Sequence, residues 1–238
     1  GILIVCAIWE CGVRVFKVPS FILPPPTDVF AEGLSKAPIL WKHTIETMVG
    51  TFISLTVGAV IGVFLGFIIG YSSTVSRILY PLLGGFHALP KSAFVPILAV
   101  WFGIGFLPKV LAGILIAFFP VVVNVVTGLT TIEPELWDML KTLGASKSQV
   151  FYKVGIPRTI PYFLGSMKVA AAGAFIGNIV GEMLASGSGL GYVLLLATSR
   201  LNMALAFSAL AILFVMGMAI FLCFDGLEGK IARWAYRS

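Results

Sequence analysis

The 238 residues are 59% hydrophobic and only 11% charged, with a formal net charge of +6. A soluble domain carries about 25% charged residues, so this chain cannot clothe itself for water and lipid must be the solvent for most of its surface. The basic residues are scattered or flank apolar runs instead of forming a block, which excludes a nucleic-acid footprint and fits the excess of Lys and Arg on the cytoplasmic side of membrane proteins.

A helix needs roughly 20 apolar residues to cross a bilayer, and six crossings are expected in chain order, in one all-α membrane domain over 1–238. Ile2 to Val18 is apolar around Glu10 and Arg14, which stand four apart and can pair. Thr44 to Gly70 holds only Glu46. Ile78 to Phe102 is interrupted by Pro81, Pro90 and Pro96 and reads as a discontinuous helix. Membranes tolerate such a break only where protein or a water cavity satisfies the freed backbone. Val110 to Ile132 has no charge, Pro161 to Leu184 carries Lys168 and Glu182, and Met203 to Phe224 is again uncharged. The chain starts at Gly1 without a Met, so a natural N-terminal segment is expected to be missing, and no cleavable signal peptide is seen. Cys6, Cys11 and Cys223 have no metal or disulfide spacing and read as small buried hydrophobes.

The connections differ in character. Residues 19–42, with five prolines, are expected to be extended. Residues 103–109 form a short turn, and 185–202 are rich in Gly and Ser. Residues 133–160 are the one long polar connection. Placing that loop in the cytoplasm puts eight Lys and Arg inside against five outside, Lys109 among the latter, and puts both termini inside. Trp234 and Tyr236 in the basic tail are expected to anchor it at the interface.

Two glycine ladders stand out: Gly58, Gly62, Gly66 and Gly70 in the second span, and Gly173, Gly177 and Gly181 in the fifth. Bare backbone on one helix face permits close helix–helix approach, so these are expected packing seams that can also slide. In the long loop, Leu136, Met139, Leu140 and Leu143 recur at helical spacing, as do Val150, Phe151 and Val154. Two short amphipathic helices are expected, joined at Gly144 with φ > 0, with Ser146 capping the second and Pro157 ending it.

This loop resembles the EAA loop of bacterial ABC importer permeases: an acidic residue, two small residues, three more, Gly, nine more, then Ile-x-Leu-Pro. The matching residues are Asp138, Met139, Leu140, Gly144, Ala145, Ser146, Val154, Ile156 and Pro157, with Asp in place of Glu and Met-Leu in place of the small pair. Ser20 to Val29, Pro90 to Gly105, Phe118-Phe-Pro, Gly181-Glu-Met-Leu and Gly189-Leu-Gly-Tyr resemble the nitrate/sulfonate/taurine branch. The resemblance implies a type I importer fold with a coupling helix seated in a cytoplasmic ATPase dimer. It also implies a second permease copy and a periplasmic or lipid-anchored solute-binding protein. ATP and Mg would belong to the ATPase subunits, with no cofactor in this chain. The implied residence is the bacterial inner membrane, and the implied solute is a small anion such as nitrate, sulfonate, taurine or bicarbonate, although the branch also includes carriers of neutral pyrimidine and aromatic compounds.

Ionisable residues within a membrane are functional candidates, because a lone charge there is costly. His87 and Lys91 flank Pro90, Lys168 lies near the cytoplasmic third, and Asn178 and Glu182 stand four apart. These five are the candidates for the solute path or gate. Asn124 is expected to bond between helices. No catalytic or metal constellation is found, and no G-x-x-x-x-G-K-[ST] phosphate cradle, so the energy source lies outside this chain. The competing reading is an ion-gradient-driven secondary transporter with Glu182 as its ion site, whose mark, an inverted repeat, is not seen. A membrane enzyme is the third.

Overall fold

The computed structural model describes residues 1–131 and 133–231, and every regular element among them is helical. The helices are α1 (Ile2–Val15), α2 (Pro26–Ser35), α3 (Ala37–Tyr71), α4 (Ser73–Ala88), α5 (Val95–Phe102), α6 (Phe106–Thr130), α7 (Pro134–Thr142), α8 (Lys147–Val150), α9 (Ile156–Ala185), α10 (Leu190–Ser199) and α11 (Met203–Ile231). A 3₁₀ turn, Lys91–Phe94, precedes α5, and a π-turn, Phe151–Gly155, joins α8 to α9 without a break.

The glycine ladders build the centre. The bare faces of Gly58, Gly62, Gly66 and Gly70 lie on Ala117, Val121, Val125 and Leu129 of α6, rung for rung in the same direction, so α3 and α6 run parallel. Gly173, Gly177 and Gly181 lie on Ile116, Ala112 and Lys109 in descending order, so α9 runs antiparallel to both. The central helix α6 is thereby clamped from two sides at backbone distance, where packing replaces the hydrophobic drive that lipid does not supply. Ala117, Val121, Val125, Ala170, Ala171 and Ala174 fill the seam. A β-carbon on Gly62 would stand 2.6 Å from Val121 Cβ and 2.8 Å from the Phe118 carbonyl oxygen. The carbonyl cannot swing aside. Gly62→Ala is expected to cost about 1–3 kcal/mol as overpacking, read as a lowered melting midpoint. Gly12→Ala, where nothing lies within 4 Å, leaves it unchanged.

Parallel α3 and α6 require the chain between them to cross back. Residues 74–102 do so as a bent pair, α4 and α5 meeting at 83°. The break falls at Pro90; Pro81 is accommodated inside α4, and Pro96 sits in the first turn of α5, where its missing N–H is not needed. With α3, α6, the 147–185 helix and α11, four helices among the described residues are long and apolar enough to cross a membrane, or five where the bent pair is one span, against the six expected. The sixth expected span, Ile2 to Val18, forms the 14-residue α1, about 21 Å at 1.5 Å per residue, short of a roughly 30 Å hydrocarbon core.

Other expectations change in detail. Residues 19–42 are not extended: Pro26 and Pro38 each open a helix, and α2 packs on α11 through Ser208 Oγ donating to the Val29 carbonyl at 2.7 Å and Asn202 donating to Glu32 at 3.2 Å. Pro157 does not end a helix; it stands in the first turn of α9. Asn124 donates to the Pro120 carbonyl of its own helix at 2.9 Å rather than to a neighbour. Cys11 and Cys223 are exposed and Cys6 is half-buried. Glu10 and Arg14 pair at 2.6 Å, and Glu10 also accepts from the Thr27 amide, tying α1 to α2. Trp234 and Tyr236 lie outside the described residues.

Candidate functional site

The sequence candidates fall in separate places. At the end of the bundle away from the 133–160 loop, Glu182 and Asn178 sit together on α9, both fully buried. The counter-ion is Lys109 of α6, also 0% exposed, whose Nζ lies 3.2 Å from Glu182 Oε1. Sequence reading missed Lys109 by placing it in an exterior turn. Helix α6 in fact starts at Phe106, because Pro108 in its first turn needs no N–H donor. The signal was available: a carboxylate buried in a span demands a cation.

Glu182 is then saturated. Thr47 Oγ1 donates to Oε2 at 2.9 Å, the Gly191 amide donates to Oε2 at 3.0 Å, and Asn178 Nδ2 donates to Oε1 at 3.2 Å. Thr47 Oγ1 in turn accepts from the Leu190 amide at 2.9 Å, and His43 Nδ1 accepts from the Gly189 amide at 3.0 Å. Thus one carboxylate and two α3 side chains take the first amides of α10, which would otherwise lack partners. Three glycines make room. Gly181 admits the Lys109 backbone, Gly191 lets α10 reach the carboxylate, and Gly189, at φ 98°, lies where any β-carbon would overlap the Glu182 carboxylate. The result is a clasp joining α3, α6, α9 and α10. Its donors are turned onto the Glu182 carboxylate, and Asn178 Oδ1 is left without a partner among the described residues.

Lys168 lies near the other end of the bundle, on the face toward α11, with Nζ 2.5 Å from Asp225 and 2.7 Å from Glu228. It is part of an ion-pair cluster joining α9 to α11, and Asp225 is more than half exposed. Exposed pairs contribute about 0–1 kcal/mol. Lys168→Met is expected to leave the melting midpoint and expression nearly unchanged, in contrast to Lys109.

His87 and Lys91 come together at the broken helix. Lys91 Nζ bonds the His87 carbonyl, freed at the end of α4, and lies 3.4 Å from His87 Nδ1. The His87 ring stacks on Phe119 of α6 at 3.9 Å between centroids and 11° between planes.

The long loop forms the expected hairpin. Helix α7 runs to Thr142, Gly144 takes φ 81°, and Ser146 begins α8 with a reciprocal capping box, accepting from the Gln149 amide while Gln149 Oε1 accepts from the Ser146 amide. Glu133 and Arg158 pair at 3.1 Å across its base. Tyr71, the last residue of α3, packs edge-on against Phe151 at 5.0 Å and hydrogen-bonds Ser148 at 3.3 Å. The knob is therefore held to both α3 and α9. Its tip is apolar and uncovered, with Leu143 76% and Met139 53% exposed. Beside the tip, Leu140, Gly144, Ala145, Gln149, Val150 and Val154 line a hollow of about 330 Å³. Asp138 and Pro157 lie exposed on the same hairpin, and Ile156 is half-buried at its exit.

The model of the family described as "Binding-protein-dependent transport system inner membrane component" matches residues 58–235. The chain belongs to this family. This permease is 31% identical over 233 residues to the formylaminopyrimidine transport permease protein ThiX of Halalkalibacterium halodurans, spanning 98% of this chain and 93% of the relative. It is 24% identical over 238 residues to the taurine transport system permease protein TauC of Escherichia coli, spanning 97% and 86%. Among solved structures, the inward-facing MetNI methionine ABC transporter matches with a TM-score of 0.71 at 19% identity, over 82% of this chain and 96% of that one. The fold is the type I, MetI-like permease fold. The permease is thus a multi-pass membrane subunit of an ABC transporter, a transport subunit and not itself an enzyme. Permeases of this kind work with ATPase subunits and substrate-binding proteins, which removes the ion-gradient transporter as a competing reading.

Proposed function

We propose that this permease is the membrane-spanning subunit of an importer in the bacterial inner membrane and that two copies pair around the solute path. The 133–160 hairpin then lies in the cytoplasm, with the end of α11 on the same side, and acts as the coupling helix. An external binding protein, periplasmic or lipid-anchored, delivers the solute. ATP and Mg are bound by the ATPase dimer, not by this chain. The observation that carries the reading is the hairpin tip. An apolar surface as open as Leu143 and Met139 is costly in water, while its base is fixed by a capping box, an ion pair and the Tyr71 contacts. A rigid knob with an uncovered apolar tip is built to enter a groove of a partner.

In this scheme, closure of the ATPase pair on ATP pushes the knob, and the push passes through Tyr71 into α3 and through the continuous 147–185 helix into α9. The glycine seams on α6 are the surfaces along which these helices shift, giving alternating access. The clasp around Glu182 keeps the far ends of α3, α6, α9 and α10 in one block, so the motion concentrates elsewhere, at the broken α4–α5 span. We place Glu182, Asn178 and Lys109 as this block's fastening, and His87 and Lys91 on the path. The imported solute is a small molecule with an anionic group or a strong hydrogen-bond acceptor; the taurine permease relative supports an anion.

A photo-cross-linking residue at Leu143 tests the docking. The expected product is a covalent adduct with the ATPase subunit, diminished when ATP and vanadate are added. A Leu143 probe that labels only lipid contradicts it.

A further inference from the structure

The break at Pro90 has the features of a solute subsite. A helix broken within a membrane must face protein or water, since lipid cannot satisfy its free carbonyls. Here the freed His87 carbonyl is met by the chain's own Lys91. An ammonium has three N–H donors, and among the described residues this one bonds the His87 carbonyl and ring nitrogen alone, leaving a donor and the positive charge for a ligand. His87 is exposed, and its ring is held flat by Phe119 in a parallel stack. One turn back on α4, Gly84 has nothing within 4 Å of where a β-carbon would stand, and neither does Gly85. The ledge is thus an aromatic platform beside bare backbone, with a cation at its edge.

We propose that this ledge binds the solute during transport and that it fits a flat, ring-bearing molecule with an anionic or acceptor edge. The ring lies on the His87–Phe119 stack, and the edge accepts from Lys91. Offset-stacked rings attract beyond the area they bury. A tetrahedral sulfonate gains the Lys91 contact but has no face to lay on the platform. The inference rests on the proposed path through the broken span. It narrows the solute class within that reading, and fixing the ring of His87 makes Phe119 a specificity-determining residue.

The test uses the assembled transporter in nanodiscs, with the three native cysteines replaced by Ser and Gly84→Cys introduced, where space is open. Nicotinate is the flat probe and taurine the tetrahedral one. The expected result is that a small water-borne thiol reagent modifies Cys at position 84, that saturating nicotinate slows this about tenfold, and that taurine does not. Adding Phe119→Ala removes the protection, whereas Phe119→Tyr, which keeps the ring, retains it. ATPase activity of the same samples reports whether the complex is intact, separating failure of this inference from failure of the importer reading. An active complex in which position 84 does not react, because a partner or lipid seals the ledge, overturns the proposal. So does protection by taurine equal to that by nicotinate, or protection that survives Phe119→Ala.

Discussion

Lys109→Met is expected to abolish the folded permease, and Lys109→Met combined with Glu182→Gln to recover most of it. Both charges are fully buried and 3.2 Å apart. Removing one partner of such a pair leaves an uncompensated charge, which costs about 3–5 kcal/mol, a large part of a total stability of about 5–15 kcal/mol. The second substitution removes the orphaned charge. Its amide oxygen still accepts from Thr47 and the Gly191 amide, so α10 keeps its anchor. Its NH₂ faces Asn178, whose Oδ1 has no donor among the described residues and can turn to accept. Glu182→Leu in place of Gln strands the Gly191 amide, at about 1–3 kcal/mol, while the Thr47 hydroxyl keeps the His43 carbonyl at 3.1 Å, and this variant is expected to rescue less well. Fluorescence-detected gel filtration of detergent extracts, with melting midpoints, reads all four chains. Equal behaviour of the single and double variants would sink the clasp.

Gly144→Val has the second-largest expected effect, on transport and not on folding. Gly144 stands at φ 81° with nothing within 4 Å of a β-carbon, so the substitution meets no clash and the whole penalty is in the backbone. A β-branched residue is a genuine outlier in the left-handed region, and a left-handed L-residue costs about 1–2 kcal/mol. The hairpin relieves this by rotating α7 against α8, which moves the exposed Leu143 and Met139. Membrane insertion and melting midpoint are expected to hold, while ATP-driven uptake by the complex falls more than tenfold. Gly144→Asn, which tolerates positive φ, retains most uptake. Normal transport by the valine variant would contradict the coupling role.

What was legible in the sequence follows from how local the signal is. The ladders at Gly58 to Gly70 and Gly173 to Gly181 gave the seams, because a four-residue repeat of glycine in a span has one geometric meaning. The turn at Gly144 and the Ser146 cap were readable from a few adjacent residues. Proline misled wherever its place in a helix was at issue. Pro26, Pro38, Pro108 and Pro157 look like breakers but occupy first turns, which are the positions proline tolerates. Reading Pro108 as a turn residue moved Lys109 out of the membrane and hid the clasp. The amides of Gly189 and Leu190 lie 146 and 143 residues from the His43 and Thr47 side chains that accept from them, so no periodicity joins them. The path candidates were found as charges, but charge alone could not sort Lys168, an ion-paired strut, from Lys91, which faces the break.

The central claim, that this permease converts the action of a separate ATPase into solute movement, is tested most directly by isolating the tagged chain from its native membrane in mild detergent. The preparation is assayed for ATP hydrolysis, and what co-purifies is identified. The account predicts a stoichiometric ATPase subunit with vanadate-sensitive hydrolysis. A chain that emerges alone and inert, yet moves solute when a proton or sodium gradient is imposed after reconstitution, would contradict it.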